Sequence, residues 1–159
     1  MKRLALMLLA LFALAGGHVL AGAPARPYDA AADARADLRA AFAEARHDHK
    51  PVLIFFGANW CPDCRALATA LSTGRNAALI RQHFNVVKVD VGNFDRNLDI
   101  TAHYDDPIRT GIPAAVIVAP DGRLLYATQA GELANARTMS DTGVYRFFEH
   151  RLRALKMAR

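Results

Sequence analysis

The sequence predicts an α/β domain, a central mixed β-sheet with helices on both faces. Three observations carry that reading. Two uninterrupted apolar runs of strand length, residues 52–56 (VLIFF) and 114–119 (AAVIVA), have the pattern of strands buried on both faces. Stretches of helical periodicity alternate with the strands and close the chain. A Pro120-Asp121-Gly122 turn between apolar stretches marks a hairpin, which adds an antiparallel edge to strands otherwise paired in parallel by right-handed crossovers.

Size and composition agree. The chain has 159 residues, 53% of them hydrophobic and 22% charged, which suits one folded domain rather than a disordered or collagen-like chain. A domain of this size buries roughly 68–70% of its unfolded surface, so it needs no disulfide framework. Two cysteines exclude a Cys-rich scaffold and a four-cysteine zinc site within one chain.

Residues 1–23 (MKRLALMLLALFALAGGHVLAGA) read as a secretory signal peptide. Lys2 and Arg3 precede an apolar run over 4–15 that is too short for an ordinary membrane span, and Ala21 and Ala23 end candidate cleavage sites. An uncleaved anchor is the alternative. The expectation is a bacterial protein secreted across the inner membrane into the periplasm, a compartment that permits disulfides. Without Lys2 and Arg3 the 20 basic residues become 18 against 15 acids, and no basic cluster with interleaved aromatics remains. Nucleic acid is therefore not an expected partner.

Residues 24–28 read as a short linker, and 29–159 as the domain. Residues 29–48 place Leu38, Phe42 and Ala45 at helical spacing, and Lys50-Pro51 stops that helix. The strand over 52–56 follows, ended by Gly57-Ala58-Asn59. Helical patterns over 61–71 and 77–84 precede a strand over 86–91. Residues 94–104 read as a polar helix. After the strand over 114–119 and the turn, residues 124–128 return antiparallel. A last helix, 141–156, carries Val144, Phe147, Phe148, Leu152 and Leu155 on one face.

Both cysteines lie in Trp60-Cys61-Pro62-Asp63-Cys64-Arg65, between a buried strand and a helix start. Two-residue spacing brings the sulfurs close once the helix begins. Cys61 falls at the helix N-terminus, where backbone N–H groups and the dipole favour a thiolate. Pro62 suits the first helical position. Cys64, in the first turn, lies deeper. The pair then divides its labour: Cys61 attacks a substrate disulfide, and Cys64 breaks the resulting mixed disulfide. A plain structural staple and a thiolate metal site are the alternatives. The staple closes too short a loop to stabilise much. For a metal site, His83 and His103 lack recognisable spacing to the cysteines, so no metal is assigned, and the residues call for no cofactor.

Residues 52–65, VLIFFGANWCPDCR, resemble the first strand and active-site turn of the thioredoxin superfamily, and most closely bacterial secreted thioredoxin-like proteins. The resemblance implies a thioredoxin-like fold over about 50–156 and thiol–disulfide oxidoreductase activity on protein disulfide or thiol substrates. It implies that Gly111-Ile112-Pro113 is the loop carrying a cis-proline opposite the cysteines, with Trp60 packed beside the thiols. Read without the resemblance, Pro113 is simply a loop proline before a strand, and trans X-Pro bonds are the rule.

The sequence departs from the family in two places. Many thioredoxins carry a buried acid six positions before the first cysteine, thought to move the proton of the second; here that residue is Phe55. Between the cysteines stand Pro62 and Asp63. The Asp63 carboxylate suits the first helical turn, and its charge disfavours a thiolate at Cys61, with Arg65 in position to cancel part of it. Together with Ile112, which resembles reducing thioredoxins, this favours a reductant over a disulfide-donating oxidase. A reductant in an oxidising compartment needs a membrane-linked electron donor. A Cu(I)-handling module is the rival from another class, since soft thiolates suit that ion.

Overall fold

A computed structural model describes residues 26–157. The expected signal peptide lies outside the described residues. Among the described residues, five helices, four strands and two short 3₁₀ turns follow in the order α1 (Ala34–Asp48), β1 (Val52–Gly57), α2 (Pro62–Ala70), α3 (Gly74–His83), β2 (Asn85–Asp90), α4 (Leu98–His103), a 3₁₀ turn (Pro107–Thr110), β3 (Ala114–Val118), β4 (Leu124–Ala127), a 3₁₀ turn (Ala136–Thr138) and α5 (Asp141–Met157).

The sheet has the order β2-β1-β3-β4. The burial of β1 on both faces is complete, all six residues being buried. One face packs Val52, Ile54, Phe56, Val87, Val89, Val116 and Val118 against Leu38 and Ala45 of α1 and Ile100 of α4. The opposite face packs Leu53, Phe55, Ala115 and Ile117 against Leu67 of α2, Ile80 of α3, and Val144, Phe148 and Leu152 of α5. Each large apolar side chain so buried contributes roughly 1.5–3 kcal/mol. Helices therefore cover both faces, as the periodicity predicts.

The structure corrects several sequence expectations. The first concerns strand direction. β1 pairs with β2 in parallel, but with β3 antiparallel, as β3 does with β4. Gly57 is the register partner of Asp90, and Phe56 that of Ala114, so β2 ends and β3 begins at the same end of the sheet. Returning to the far end would take a helix about as long as the strands. Six strand residues span about 20 Å, against about 9 Å for six helical ones. The six residues of α4 cannot make that return.

The second concerns residues 94–104. Only Leu98–His103 is helical, because Phe94 (φ 63°) and Asn97 (φ 53°) take left-handed conformations that no helix admits. The loop before α4 is tied down instead. Asp90 Oδ1 accepts from the Gly92 N–H at 2.8 Å, and Asn97 Nδ2 donates to Asp90 O at 2.8 Å.

The N-terminal helix starts later than its periodicity suggests. Asp33 caps it, its Oδ1 accepting from the N–H groups of Arg35 and Ala36 at 3.0 Å each. The chain leaves α1 through His49 in the left-handed region, just before the Lys50-Pro51 stop. Tyr28, read from sequence as linker, is buried and belongs to the core. Its apolar neighbours in space, rather than local composition, decide its place.

Candidate active site

The site forms where β1 ends and α2 begins. Cys61 is the N-cap of α2 and Pro62 its first residue. Proline fits there because the first-turn N–H groups have no helical acceptor. The Cys64 N–H donates to Cys61 Sγ at 3.1 Å. A sulfur in this position takes the cap role ordinarily filled by an oxygen, and negative charge on it is met by a donor. Both cysteines are free thiols and both are buried, Cys64 completely.

Opposite them, the Ile112-Pro113 peptide bond is cis. That agrees with the resemblance and departs from the ordinary trans expectation for an isolated X-Pro bond. The Cys61 thiol donates to Ile112 O at 3.5 Å. The loop is held from behind by the N–H of Gly111, which donates to Ile108 O at 2.9 Å.

Asp63 is buried in the first turn of α2. Its charge partner is not Arg65. Asp63 Oδ1 accepts from the Arg137 N–H at 2.9 Å, and Oδ2 lies 3.7 Å from Arg137 Nε. Arg65 turns away, its Nη1 donating to Asn59 O at 2.8 Å. Asp63 thereby ties α2 to the 3₁₀ turn over Ala136–Thr138. The partner could not be read from sequence, because it lies 74 positions away.

Trp60 is half-exposed. Its indole N–H donates to Gly92 O at 2.7 Å, and its ring meets Phe94 edge-on with centroids 5.9 Å apart. The contact partner of this ring is the loop between β2 and α4. Phe94 and Leu98 of this stretch are themselves exposed.

Phe55 is the strand residue six positions before Cys61. It is buried against Phe148, ring centroids 5.9 Å apart and edge-to-face. Burial, then the hydrogen bond to Cys61 and the charges of Cys61 and Asp63, push the Cys64 thiol well above the ordinary cysteine range, although the Ala58 backbone offsets a part.

Sequence reasoning missed Tyr28. Its backbone is clamped by Asn59, whose Oδ1 accepts from the Tyr28 N–H at 3.0 Å and whose Nδ2 donates to Tyr28 O at 2.6 Å. Its ring end lies over Gly57 next to Cys64. The available signal was a lone aromatic, behind Pro27, in a stretch otherwise made of small and charged residues. Among the described residues, no group of three or more His, Cys, Asp and Glu is placed to hold a metal ion.

A mixed sheet, two vicinal thiols at a helix N-terminus and a cis-proline loop facing them define the thioredoxin-like class of disulfide oxidoreductases. Comparison with known proteins agrees. Residues 33–120 match the family model described as thioredoxin-like. The thioredoxin of Buchnera aphidicola subsp. Schizaphis graminum is 34% identical over 88 residues, which cover 55% of this chain and 72% of that protein. A crystal structure of a disulphide isomerase from Xylella fastidiosa Temecula1 is 55% identical, covers 80% of this chain and 98% of its own, and superposes with a TM-score of 0.79. The chain belongs to the thioredoxin-like family and is a thiol–disulfide oxidoreductase.

Proposed function

We propose that this protein reduces protein disulfides in the periplasm, with Cys61 as nucleophile and Cys64 as resolving thiol. The observation that carries the reading is the pair itself: Cys61 caps α2 and faces the cis-proline loop, while Cys64 is fully buried with its N–H aimed at Cys61 Sγ. Cys61 thiolate attacks one sulfur of a substrate disulfide and displaces the other as a thiolate. Cys64, losing its proton, then attacks Cys61 Sγ and releases the second substrate thiolate. Two electrons pass from the dithiol to the substrate, and the protein keeps an intramolecular disulfide. Trp60, Pro62, Asp63, Ile112 and Pro113 support the site: Pro62 and Asp63 shape the first turn, and the Ile112-Pro113 loop faces the attacking sulfur.

The surroundings of Cys64 support the reductant reading. A strongly oxidising pair has its reduced form stabilised by thiolate-favouring contacts. Burial and the Asp63 charge work against a thiolate at Cys64. This supports a dithiol that gives up its electrons. Periplasmic location rests on the signal-like residues 1–23, and it requires a membrane-linked donor to return the pair to the dithiol.

The test is the equilibrium reduction potential of the Cys61–Cys64 pair in glutathione buffers. A value near the roughly −270 mV of thioredoxin supports the reductant; one near the roughly −120 mV of a strong periplasmic oxidant overturns it. Cys61→Ser abolishes exchange, whereas Cys64→Ser accumulates mixed disulfides with substrate proteins. Full-rate exchange by Cys61→Ser would refute the assigned order of attack.

A further inference from the structure

Cys64 has to lose a proton in a buried setting, and the strand residue six positions before Cys61 is Phe55 rather than an acid. Besides the Ala58 backbone, a polar group from outside the strand–helix unit stands near this sulfur. A Cβ built on Gly57 would fall inside van der Waals contact with Tyr28 Cζ and Oη, and 2.9 Å from Cys64 Sγ. The phenol end and the sulfur thus flank a single point that is open only because residue 57 has no side chain. The position of Tyr28 is not incidental: Asn59, within the same active-site turn, holds its N–H and C=O with two hydrogen bonds. Among the described residues no hydrogen bond engages the hydroxyl. Tyr28 also lines a cavity of about 190 Å³ with Phe55, Leu67 and Lys88.

We propose that Tyr28 is a positioning residue for the resolution step, its hydroxyl donating a hydrogen bond to the Cys64 sulfur as that sulfur becomes a thiolate. The inference rests on the exchange reading of the cysteine pair. In the mixed disulfide, Cys64 loses its proton to solvent; the Tyr28 O–H steadies the thiolate until it attacks Cys61 Sγ. The Cys61–substrate bond breaks, the substrate sulfur leaves with the electron pair and takes up a proton, and Tyr28 is unchanged. The Ala58 backbone offsets only part of the cost of a thiolate here, and a neutral phenol supplies a further donor without adding charge. It stays neutral because burial, then the charges of Cys64, Cys61 and Asp90, hold it well above its ordinary pKa. The titratable groups facing the sulfur and the phenol are Cys61 before α2, Asp63 in α2, and Lys88 and Asp90 on β2. None but Tyr28 offers a neutral hydroxyl.

The experiment uses the reduced protein and excess dithiobis-nitrobenzoate. The first thionitrobenzoate released reports attack by Cys61, and the second reports resolution by Cys64. Tyr28→Phe keeps the ring and removes one oxygen. Expected are an unchanged first phase, a second phase slowed about tenfold, as for loss of a hydrogen bond to a charged group, and a pH midpoint of that phase moved upward. Tyr28→Trp, which restores an N–H donor on a flat ring, recovers part of the rate. An unchanged second phase in Tyr28→Phe overturns the proposal. Equal slowing of both phases overturns it too, because that marks a packing role. A wild-type protein that releases no second equivalent would instead overturn the exchange reading itself, and this inference with it.

Discussion

Gly57→Ala tests the packing around the buried thiol. β1 ends at Gly57, whose backbone needs no glycine-specific conformation, so alanine meets no backbone strain. The whole cost comes from its methyl group. An ordinary contact to carbon lies at about 3.5–4.0 Å, and Cys64 Sγ would stand at 2.9 Å, with Tyr28 Cζ and Oη nearer still. The sulfur belongs to a helix turn fixed by the Cys61 cap and the Asp63–Arg137 tie, so it cannot retreat. Overpacking of this kind costs about 1–3 kcal/mol. Alanine recovers about 0.4–1 kcal/mol by restricting the unfolded chain. Overpacking wins, and the net loss is about 1–2 kcal/mol. For a domain of this size that lowers the melting temperature by roughly 3–10 °C. Calorimetry of the reduced protein reads it. In a Tyr28→Leu background, where the phenol end is gone, the same substitution costs less than half as much. Equal costs in the two backgrounds would refute the contact with Tyr28, and a Gly57→Ala protein as stable as wild type would refute the packing argument altogether.

Two further outcomes follow from the same geometry. Asp63→Ala leaves the Arg137 N–H without its acceptor and is expected to cost about 1–3 kcal/mol in chemical denaturation; Asp63→Asn keeps an acceptor and costs less, and by removing the charge it lowers the pH at which Cys64 ionises, visible in the pH profile of thionitrobenzoate release. Alkaline pH weakens the reduced protein. The folded state holds the Cys64 proton more tightly than the unfolded chain does, so this stabilisation is complete below the unfolded thiol's pKa of about 8.5 and fades as pH rises above it. The denaturant midpoint of reduced wild type therefore falls between neutral pH and pH of about 10 more steeply than that of Cys64→Ala; parallel curves would contradict the burial of the Cys64 proton.

Much of this molecule is legible in the order of its residues. The runs VLIFF and AAVIV alternate no polar residues, so only a strand covered on both faces can hold them, and β1 and β3 are such strands. Pro62 and the two-residue cysteine spacing place one sulfur at a helix start and the other one turn in, because helix geometry follows from local sequence. Local reasoning fails where distant segments meet. The direction of β3 depends on how far the connection after β2 travels, and residues 94–97 shorten α4 below the length of a return. The cis state of Pro113 depends on what surrounds the loop. Asp63 finds Arg137 rather than its neighbour Arg65 because the chain brings the 3₁₀ turn over the start of α2.

Fold class, the pair of thiols and the order of burial between them were all written in short stretches of the chain, since apolar period, proline position and cysteine spacing are properties of adjacent residues. What faces those thiols was settled only by the packed fold. Tyr28 stands 33 positions before Cys61 in a segment with no strand or helix of its own; Asn59 clamps its backbone, and its ring end shares with Cys64 the space that Gly57 leaves open. Side-chain surroundings in a packed core are set by the sum of long-range contacts, and no local pattern encodes them.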